Sequence, residues 1–338
     1  MEKIVLGMSG GVDSSAAVAL LRERGYEVHG LFLSHPGLGC GAALRAAAET
    51  GVPLEIADIG EALEREVCRR FEREYLAGRT PSPCIYCNPL VKFPALIAEA
   101  ERIGAELVAT GHYARTERRD GYTALLRAHS PNDQSYMLCR LPQEILSRCV
   151  FPLGELDKQQ VRDIAARGGL SSASARDSME ICFVPSGDYG AWLEGRGANP
   201  RKGDFLSEHG ETLGTHDGLY RYTVGKRRGL RIATGKRMYV KRIDPNTNSI
   251  TLAEESNMYI TKVEISGFMR LRPELGDSFH ASAKLRHSRS EHACAVEVSG
   301  GRAALTLEAP ARIPAPGQYA ALYIADELVA SGIIERSE

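Results

Sequence analysis

The first residues whose types and spacing could do chemistry form a turn rich in glycine and serine, Gly7-Met8-Ser9-Gly10-Gly11-Val12-Asp13-Ser14. An apolar run at residues 4–6, typical of a buried parallel strand, precedes the turn, and a helix-forming run at residues 16–21 follows it. A strand, a glycine turn and a helix together present backbone N–H groups and a helix N-terminus to a phosphate. The sequence therefore predicts a phosphate-binding loop, with an ordinary tight turn as the alternative.

The loop is not of the Walker A type, because the Lys required after the last glycine is absent. Its pattern Ser-Gly-Gly-x-Asp-Ser resembles the pyrophosphate loop of the ATP pyrophosphatases. Enzymes of that superfamily cleave ATP between the α and β phosphates and adenylate a carbonyl-type oxygen. The resemblance implies ATP as a substrate and leaves the acceptor undefined.

Cys84 and Cys87 are spaced as Cys-x-x-Cys in the segment Arg79-Thr80-Pro81-Ser82-Pro83-Cys84-Ile85-Tyr86-Cys87-Asn88. The prolines at 81 and 83 disfavour helix and predict a stiff, exposed connection between two helices. Three interpretations are open for the pair: half of a zinc site, a thiol redox pair, or a catalytic nucleophile. The lack of a second Cys-x-x-Cys or a His pair in the sequence disfavours zinc.

A third cysteine, Cys182, follows Arg176-Asp177-Ser178-Met179-Glu180-Ile181 near the end of the first half of the chain. Taken alone, Cys182 would be interpreted as a core residue. The presence of the glycine-rich loop and the Cys-x-x-Cys segment in the same chain weakens that interpretation. The eight cysteines are scattered and no signal peptide is visible, which argues against a disulfide scaffold and predicts a reducing cytoplasm. Four of them are predicted to be packing residues, Cys68, Cys139, Cys149 and Cys294.

Strand and helix patterns alternate in the first half of the chain and must position these motifs. Strands are predicted at residues 26–33, 53–57 and 106–110, and helices at residues 41–50, 59–76 and 89–103. A capping box at Asp157-Lys158-Gln159-Gln160 predicts the start of a further helix. This alternation predicts a doubly wound parallel α/β sheet, whose ligands lie at the carboxyl ends of the strands. The first loop and Thr110-Gly111-His112-Tyr113 then share one edge.

The second half of the chain has a different composition and a shorter period. Residues 187–203 are rich in Gly, Pro and Arg, and the helical pattern fades after them. Short strands are predicted at residues 238–243, 249–252, 262–265, 303–307 and 319–323, which indicates small β-domains or a barrel. We therefore expect three domains: residues 1–195, a small central β-domain at residues 196–257, and a C-terminal β-barrel at residues 258–338.

Charge and hydropathy limit the partners of this 338-residue chain. No apolar run approaches the roughly 20 residues that a membrane span needs, so no membrane partner is expected. The net charge is −1, yet residues 221–242 carry nine basic residues and no acidic one, with tyrosines interleaved. Basic residues with aromatic ones suit phosphate contacts and base stacking, so this run predicts RNA, with a solvated charged surface as the alternative.

Taken in order, the motifs make the chain similar to the tRNA-specific 2-thiouridylases over nearly its whole length. The matching stretches are residues 7–14, 80–88 with Lys92-Phe93, 109–115, 133–136, 151–154, Asp177-Ser178 with Cys182, 216–225, 228–230 and 316–318. The resemblance implies adenylation of the C2 oxygen of the wobble uridine in tRNA. Sulfur transfer from a cysteine persulfide then gives 2-thiouridine, AMP and pyrophosphate.

The resemblance also implies roles for particular residues. Cys87 matches the nucleophile and Cys182 the cysteine that carries sulfur as a persulfide, with a disulfide between them closing the cycle; Asp13 joins them as a catalytic residue. ATP contacts carry over to Gly7, Met8, Ser9, Gly10, Gly11, Val12, Asp13, Ser14, Leu33 and Gly111. tRNA contacts carry over to Ser82, Pro83, Cys84, His112, Asn132, Asp133, Gln134, Arg286, His287 and Gln318. Mg²⁺ and a persulfide donor or relay protein are expected.

Several positions depart from the family pattern. The insertion after the second strand is reduced to residues 34–41, Asn132 replaces a common Lys, Lys226 a usual Gln, and Met179-Glu180 a commoner pair. Cys84 occupies a place that is Asp in some members, so Cys84, Cys87 and Cys182 could instead hold a [4Fe–4S] cluster with one open iron. The alternatives to the main prediction are that cluster mechanism, a sulfurtransferase of the same descent with another substrate, another adenylating enzyme, and a non-catalytic RNA-binding protein.

Overall fold

The computed structural model describes residues 1–174, 181–288 and 290–338. The predicted motif positions Asp177, Ser178, Met179 and Glu180 lie outside these described residues. The described chain forms a parallel sheet with helices, a four-stranded central sheet, and a C-terminal barrel. None of the helices described is both long enough and apolar enough to cross a bilayer.

A five-stranded parallel sheet in the order β3-β2-β1-β4-β7 forms the centre of the N-terminal unit. Its short, buried strands meet the expectation for a sheet that is covered on both faces. The first seven strands of the chain are β1 (Glu2–Gly7), β2 (Tyr26–Ser34), β3 (Leu54–Asp58), β4 (Leu107–Ala109), β5 (Ala114–Arg119), β6 (Tyr122–Arg127) and β7 (Cys149–Val150).

Helices cover both faces of this sheet, as the alternating pattern predicts. Ile4 and Leu6 of β1 pack with the helix that follows the phosphate loop, whereas Val5 between them packs into a second core on the opposite face. The doubly wound arrangement is confirmed. The helices are α1 (Val12–Glu23), α2 (Gly41–Thr50), α3 (Gly60–Leu63), α4 (Arg69–Leu76), α5 (Pro83–Cys87), α6 (Phe93–Ile103), α7 (Gln143–Leu146), α8 (Lys158–Arg167) and α9 (Tyr189–Gly195).

The long helix predicted at residues 59–76 is interrupted by a π-helical turn, and the helix predicted at residues 89–103 begins within a second one. Glu64–Cys68 separates α3 from α4, and Asn88–Lys92 separates α5 from α6. The prediction of a non-helical connection is wrong at Pro83, which is the first residue of α5. Proline is tolerated there because the N–H group at the first helical position has no partner within the helix.

The central domain is a four-stranded sheet in the order β10-β11-β8-β9. Its small core contains Phe205, Val240, Ile250 and Leu252. The strands predicted at residues 238–243 and 249–252 are present. The bounds are β8 (Gly203–Leu206), β9 (Thr212–His216), β10 (Met238–Asp244) and β11 (Ser249–Glu254).

The six C-terminal strands close into a barrel, because β17 pairs with β12 as well as with β16. The barrel interior is filled by alternating apolar residues such as Val263, Leu305 and Leu322. The predicted barrel is confirmed, while the exact domain limits stay predictions. The strands are β12 (Tyr259–Arg270), β13 (Ser278–Lys284), β14 (His292–Ser299), β15 (Arg302–Arg312), β16 (Tyr319–Ile324) and β17 (Glu327–Ser337).

A hairpin that the sequence did not predict joins the first domain to the barrel. β5 and β6 pair antiparallel, and β6 continues the barrel sheet by pairing with β17 at Leu126 and Glu327. The Glu327 carboxylate is 3% exposed and accepts hydrogen bonds from Arg119, Arg272 and Tyr122. A buried carboxylate with three donors ties the two domains together at this edge.

Candidate active site

The phosphate loop lies where β1 ends and α1 begins, at the carboxyl edge of the sheet. Gly10 has a φ of +81°, and a Cβ there would lie 2.2 Å from the carbonyl carbon of Ala42. Glycine is therefore required both by the backbone conformation and by the approach of α2. Ser14 Oγ donates to the Gly11 carbonyl at 3.1 Å. The first turn of α1 thus points its N–H groups out of a tightly fixed loop.

Asp13 is the residue of this loop region to which the neighbouring charged and polar side chains bind. Its carboxylate accepts hydrogen bonds from Lys158 Nζ at 2.8 and 2.9 Å and from the Tyr113 hydroxyl at 2.7 Å. Lys158 is the first residue of α8, and the predicted capping box of Asp157 and Gln160 fixes that start. The sequence analysis missed Lys158 and Tyr113 as site residues, because they lie 145 and 100 residues from Asp13 along the chain.

The remaining predicted nucleotide residues line the same edge of the sheet. A Cβ on Gly111, which follows β4, would lie 3.1 Å from Asp13 Cβ and from the backbone nitrogen of Ser14. Glycine at 111 therefore lets the end of β4 approach α1 closely. Leu33 lies near the end of the neighbouring strand β2 and packs against the core with its side chain half-buried. Eight of the ten positions predicted to contact ATP form the loop itself, Gly111 lies against it, and Leu33 lies near the end of the adjacent strand β2.

Cys84 and Cys87 are three residues apart on α5, which places them as neighbours on one helical face. The opposite side of the helix buries Ile85 and Tyr86. Cys84 is exposed, Cys87 is half-buried, and both are free thiols, as is the exposed Cys182. The predicted disulfide between Cys87 and Cys182 is therefore not formed in this structure. Asn88, directly after Cys87, is anchored by its Nδ2 donating to the Met137 carbonyl at 2.8 Å.

The three thiols and Lys92 are electrostatic neighbours. Burial raises the pKa of Cys87 to about 12; Lys92 opposes this rise, whereas thiolates at Cys182 and Cys84 would add to it. Cys182 is exposed over part of its surface, yet the protein around its sulfur removes enough water to raise the pKa of Cys182; a thiolate at Cys84 adds to that rise, and Lys92 again opposes it. Both groups are held as protonated thiols near neutral pH. Lys92 is a further site residue whose side-chain role the sequence analysis did not recognise.

The cysteines and carboxylates of the described residues determine which metal ions this site could hold. No group of three or more His, Cys, Asp or Glu side chains in the described ranges is arranged to hold a metal ion. The three cysteines, as arranged here, therefore do not fit a [4Fe–4S] cluster. Mg²⁺ needs fewer protein ligands than a cluster, because in nucleotide sites it binds one or two carboxylates together with substrate phosphates. Asp13 beside the loop fits that requirement.

His112 lies at the edge of the sheet and packs against the first residue of the helix that follows the cysteine pair. Its Nδ1 lies 2.7 Å from Thr110 Oγ1, and its ring stacks on Phe93 with centroids 6.3 Å apart. Burial lowers the pKa of His112 well below its usual value, and Lys92 lowers it further, so the imidazole is neutral. Because Lys92 influences both His112 and Cys87, the thiols and the 110–113 segment have a common neighbour.

The loop predicted to contact tRNA at residues 132–134 is fixed largely by contacts within the protein. Asp133 accepts hydrogen bonds from the backbone N–H of Ala128 and from Ser135, and its carboxylate lies 3.5 Å from Lys284 Nζ. Gln134 Oε1 accepts from the Tyr113 N–H at 3.1 Å. Of the three predicted residues, Asn132 alone has an exposed side chain.

The barrel contributes Gln318, another predicted tRNA contact, to the cysteine segment. Gln318 Nε2 donates to the Thr80 carbonyl at 2.8 Å, and the Thr80 N–H donates to the Pro316 carbonyl at 2.8 Å. The segment that leads into Ser82, Pro83 and Cys84 is therefore held by a turn of the barrel.

Arg286 and His287 lie on the exposed side of the same barrel. The His287 ring is 6.0 Å from the ring of Tyr136, whose hydroxyl donates to the Tyr319 carbonyl at 3.1 Å and lies close enough to the Ser82 side chain for Ser82 to lower the pKa of Tyr136 slightly against the rise that burial causes. Two of the predicted tRNA contacts, Ser82 and His287, are thus gathered around one tyrosine. Their contact with RNA stays a prediction.

The basic run at residues 221–242 is partly compensated by acids that are distant in sequence. Ion pairs form between Arg221 and Glu194, between Lys236 and Glu254, and between Lys241 and Glu208. The absence of counter-charge, which the sequence indicated, therefore does not hold for these three residues. Arg227 and Arg228 are exposed and form no ion pair with the described part of the chain.

A phosphate loop at the carboxyl edge of a doubly wound sheet, with a carboxylate at its first helical turn, defines an α/β enzyme of the ATP pyrophosphatase type. Comparisons of the whole chain agree. The family model described as the tRNA methyl transferase HUP domain matches residues 2–186. Those described as the tRNA methyl transferase PRC-barrel domain and the aminomethyltransferase beta-barrel domain match residues 193–254 and 260–334.

Similar proteins narrow this class to a family. The chain is 38% identical to the tRNA-specific 2-thiouridylase MnmA of Carboxydothermus hydrogenoformans, with 99% of this chain and 98% of the relative covered. It is 39% identical to the protein of that name from Geobacter metallireducens, with 99% and 97% covered. The chain belongs to the tRNA-specific 2-thiouridylase (MnmA) family, which confirms the resemblance read from its motifs.

Proposed function

We propose that this protein is an ATP-dependent tRNA 2-thiouridylase that acts on the wobble uridine. One observation supports this most: the segment after β4 lies between the phosphate loop and the helix that follows the cysteine pair. Gly111 lies against Asp13 and Ser14 of the loop, and the ring of His112 stacks on Phe93, the first residue of the helix that continues from the π-helical turn after Cys87. A base held at this edge would face an activating nucleotide and a sulfur nucleophile together.

The first step replaces a poor leaving group by a good one. The C2 oxygen of the uridine attacks the α-phosphorus of ATP, the bond to the β-phosphate oxygen breaks, and pyrophosphate leaves. The N–H groups of the loop and of the first turn of α1 bind the departing pyrophosphate. Mg²⁺, when bound, neutralises phosphate charge, and Asp13 would hold it. Lys158, now paired with Asp13, supplies a cation beside the same phosphates.

The second step transfers sulfur with all electrons accounted for. A persulfide donor first transfers its outer sulfur to Cys182, which becomes the persulfide Cys182–S–SH. The terminal sulfur of this persulfide attacks C2 of the activated uridine and displaces AMP. The Cys87 thiolate then attacks the Cys182 sulfur and breaks the sulfur–sulfur bond, so that the terminal sulfur stays on the base. The products are 2-thiouridine and a Cys87–Cys182 disulfide, which a dithiol reductant reopens.

The protonation state of Cys87 determines when it can act as a nucleophile. Because burial holds Cys87 as a thiol in the free protein, it is a weak nucleophile until a base or substrate removes its proton. Lys92 is the cation best placed to stabilise the thiolate that forms. A Cys87 thiol that stays protonated without substrate is less prone to oxidation and to exchange with other thiols or disulfides.

The test is mass spectrometry of nucleosides from unmodified tRNA incubated with the protein, ATP, Mg²⁺ and a persulfide donor. We expect 2-thiouridine, and we expect Cys87→Ser and Cys182→Ser each to abolish it. Cys294→Ala is the matched control, because Cys294 is a buried thiol of the barrel core and lies outside the site.

Two outcomes would redirect the proposal. Adenylation of tRNA or ATP cleavage without sulfur transfer, under both iron-free and reconstituted anaerobic conditions, would indicate another substrate for a protein of the same descent. Thiolation that requires bound iron and is lost in Cys84→Ser would show that the cysteines rearrange to hold a cluster. Thiolation by the iron-free protein, retained in Cys84→Ser, supports the persulfide route.

A further inference from the structure

The adenylation step proposed above requires a base at the wobble uridine. Uridine carries a proton on N3. When its C2 oxygen bonds to the α-phosphorus, a C2=N3 double bond forms, so the N3–H bond breaks and its electron pair stays in the ring. A proton returns to N3 once the sulfur–sulfur bond of the persulfide has broken and C2 carries a thione. The site therefore needs a group that accepts one proton and later gives one back.

Several ionisable groups of the site are already committed to other contacts or protons. The Asp13 carboxylate accepts hydrogen bonds from Lys158 Nζ and from the Tyr113 hydroxyl. Cys87 and Cys182 are protonated thiols, because burial raises the pKa of each. A carboxylate that binds a cation and a thiol that keeps its proton are both poor acceptors for the N3 proton.

His112 lies directly after the point at which the end of β4 meets the phosphate loop. A Cβ on Gly111 would lie 3.1 Å from the backbone nitrogen of Ser14, so no side chain separates this segment from the first turn of α1. In the proposed reaction the loop binds the pyrophosphate half of ATP, and the α-phosphate is bonded to that half. A uridine that attacks the α-phosphate therefore has the 111–112 segment as a neighbour.

The His112 ring is held in one orientation by three side chains. Its Nδ1 lies 2.7 Å from Oγ1 of Thr110, which is 4% exposed. The ring stacks on Phe93 at an interplanar angle of 19° and meets the edge of Phe151 at 85°, with both centroids 6.3 Å away. Nε2 has no hydrogen-bond partner among the described residues and is not enclosed. Nε2 is therefore the ring nitrogen open to a substrate.

The surroundings of His112 keep its imidazole neutral. Burial among apolar rings lowers the pKa of His112 well below its usual value, and the cation of Lys92 lowers it further. Phe93 and Phe151, which pack on the ring, do not titrate. A base with a lowered pKa is weak, but it suffices here, because N3–H becomes more acidic as the C2 oxygen bonds to phosphorus. The nearby cation also favours the later return of the proton.

We propose that His112 is the general base of the adenylation step, with Nδ1–H donating to Thr110 Oγ1 and Nε2 taking the proton from N3 of the uridine. The inference rests on the proposed function and deepens it, since the resemblance assigns His112 to tRNA contact alone. Thr110 is a positioning residue: a hydroxyl that accepts from Nδ1–H selects the tautomer whose Nε2 lone pair is free.

The test is the rate of pyrophosphate release from ATP in a single turnover at saturating tRNA. It is run without a sulfur donor and in the Cys182→Ser protein, so that only adenylation is measured. The variants are His112→Gln and Thr110→Val, with Thr110→Ser as the conservative partner that keeps the hydroxyl. His280→Gln is the matched control, because His280 is an exposed histidine of β13. Melting temperatures and ATP affinity verify that each variant is folded.

We expect His112→Gln to lower the maximal rate by about 10²–10⁴-fold, the usual contribution of a general base, and to leave the KM for tRNA nearly unchanged. Replacing the wobble uridine with 5-fluorouridine, whose N3–H is more acidic, should recover about tenfold or more of that loss. Thr110→Val should also lower the maximal rate, whereas Thr110→Ser and His280→Gln should keep it.

Two results for His112→Gln would overturn the inference. One is a wild-type maximal rate, with or without a raised KM for tRNA, because it leaves His112 as a contact residue only. The other is an equal loss for uridine and 5-fluorouridine, because the missing function is then not proton transfer. A wild-type rate in Thr110→Val would overturn the assigned tautomer. Absence of tRNA-dependent pyrophosphate release in the wild type would contradict the proposed function instead.

Discussion

Replacing Gly10 with alanine tests whether the loop after β1 is the nucleotide site. The left-handed φ of +81° costs an L-residue about 1–2 kcal/mol, and the new Cβ would lie 2.2 Å from the Ala42 carbonyl carbon and 2.4 Å from the Ala43 nitrogen. These are backbone atoms, so no side-chain rotation relieves the clash and the loop or α2 must move. We expect ATP binding to weaken at least about tenfold, or about 1.4 kcal/mol, because the loop N–H groups shift away from the phosphates.

Gly25→Ala is the matched control for this experiment. Gly25 has nearly the same conformation, with a φ of +87°, but nothing lies within 4 Å of a Cβ at that position. Its backbone penalty of about 1–2 kcal/mol is offset in part by about 0.4–1 kcal/mol from a less flexible unfolded chain, so we expect at most about 1.6 kcal/mol of destabilisation and unchanged ATP affinity. Urea unfolding and isothermal titration calorimetry with ATP measure both quantities. Equal unfolding losses in the two variants, with wild-type ATP affinity in Gly10→Ala, would refute the reasoning.

Three further predictions follow from contacts in the site. Lys158→Met should weaken ATP binding about tenfold or more and AMP binding much less, because it removes the cation that now pairs with Asp13 beside the loop; calorimetry showing equal losses for ATP and AMP would contradict this. Because burial raises the pKa of Cys87 to about 12, its alkylation by iodoacetamide in the free protein should rise about tenfold per pH unit from 7 to 9. Site-resolved mass spectrometry checks this, and a plateau below pH 9 would show a lower pKa. Gln318→Ala should lower the free energy of unfolding by about 0.5–1.5 kcal/mol without RNA present, because it removes the bond to the Thr80 carbonyl; an unchanged urea midpoint would exclude that structural role.

The sequence patterns predicted those elements of the fold that depend on interactions between residues close together in the chain. The apolar run at residues 4–6, the glycine turn and the helix-forming run predicted β1, the phosphate loop and α1 because each depends on neighbours within a few residues. The capping box at Asp157 and Gln160 is likewise satisfied within one helical turn. In the barrel, alternating apolar residues predicted parts of β12, β15 and β16, whereas β13, β14 and β17 were not predicted.

Features that depend on distant parts of the chain could not be predicted in this way. The β5–β6 hairpin is completed by β17, about 200 residues later, and its buried partner Glu327 gives no local signal. The carboxylates that pair with Arg221 and Lys241 also come from outside the basic run. The error at Pro83 had a different cause, because proline breaks a helix in its interior but is well accommodated at its first position.

The barrel fixes the segment that leads into the two cysteines of α5. Gly317 has a φ of +90°, and a Cβ there would lie 3.1 Å from both the nitrogen and the carbonyl oxygen of Thr80, so the barrel turn fits closely against the segment. Arg79 adds an ion pair to Glu335 of β17 at 2.7 Å. Neither contact touches a thiol, yet both fix the chain directly before α5, on which Cys84 and Cys87 sit. If the proposed function holds, an RNA that contacts this turn of the barrel also contacts the element that fixes the position of Cys84 and Cys87, so RNA docking and alignment of the thiols would be coupled.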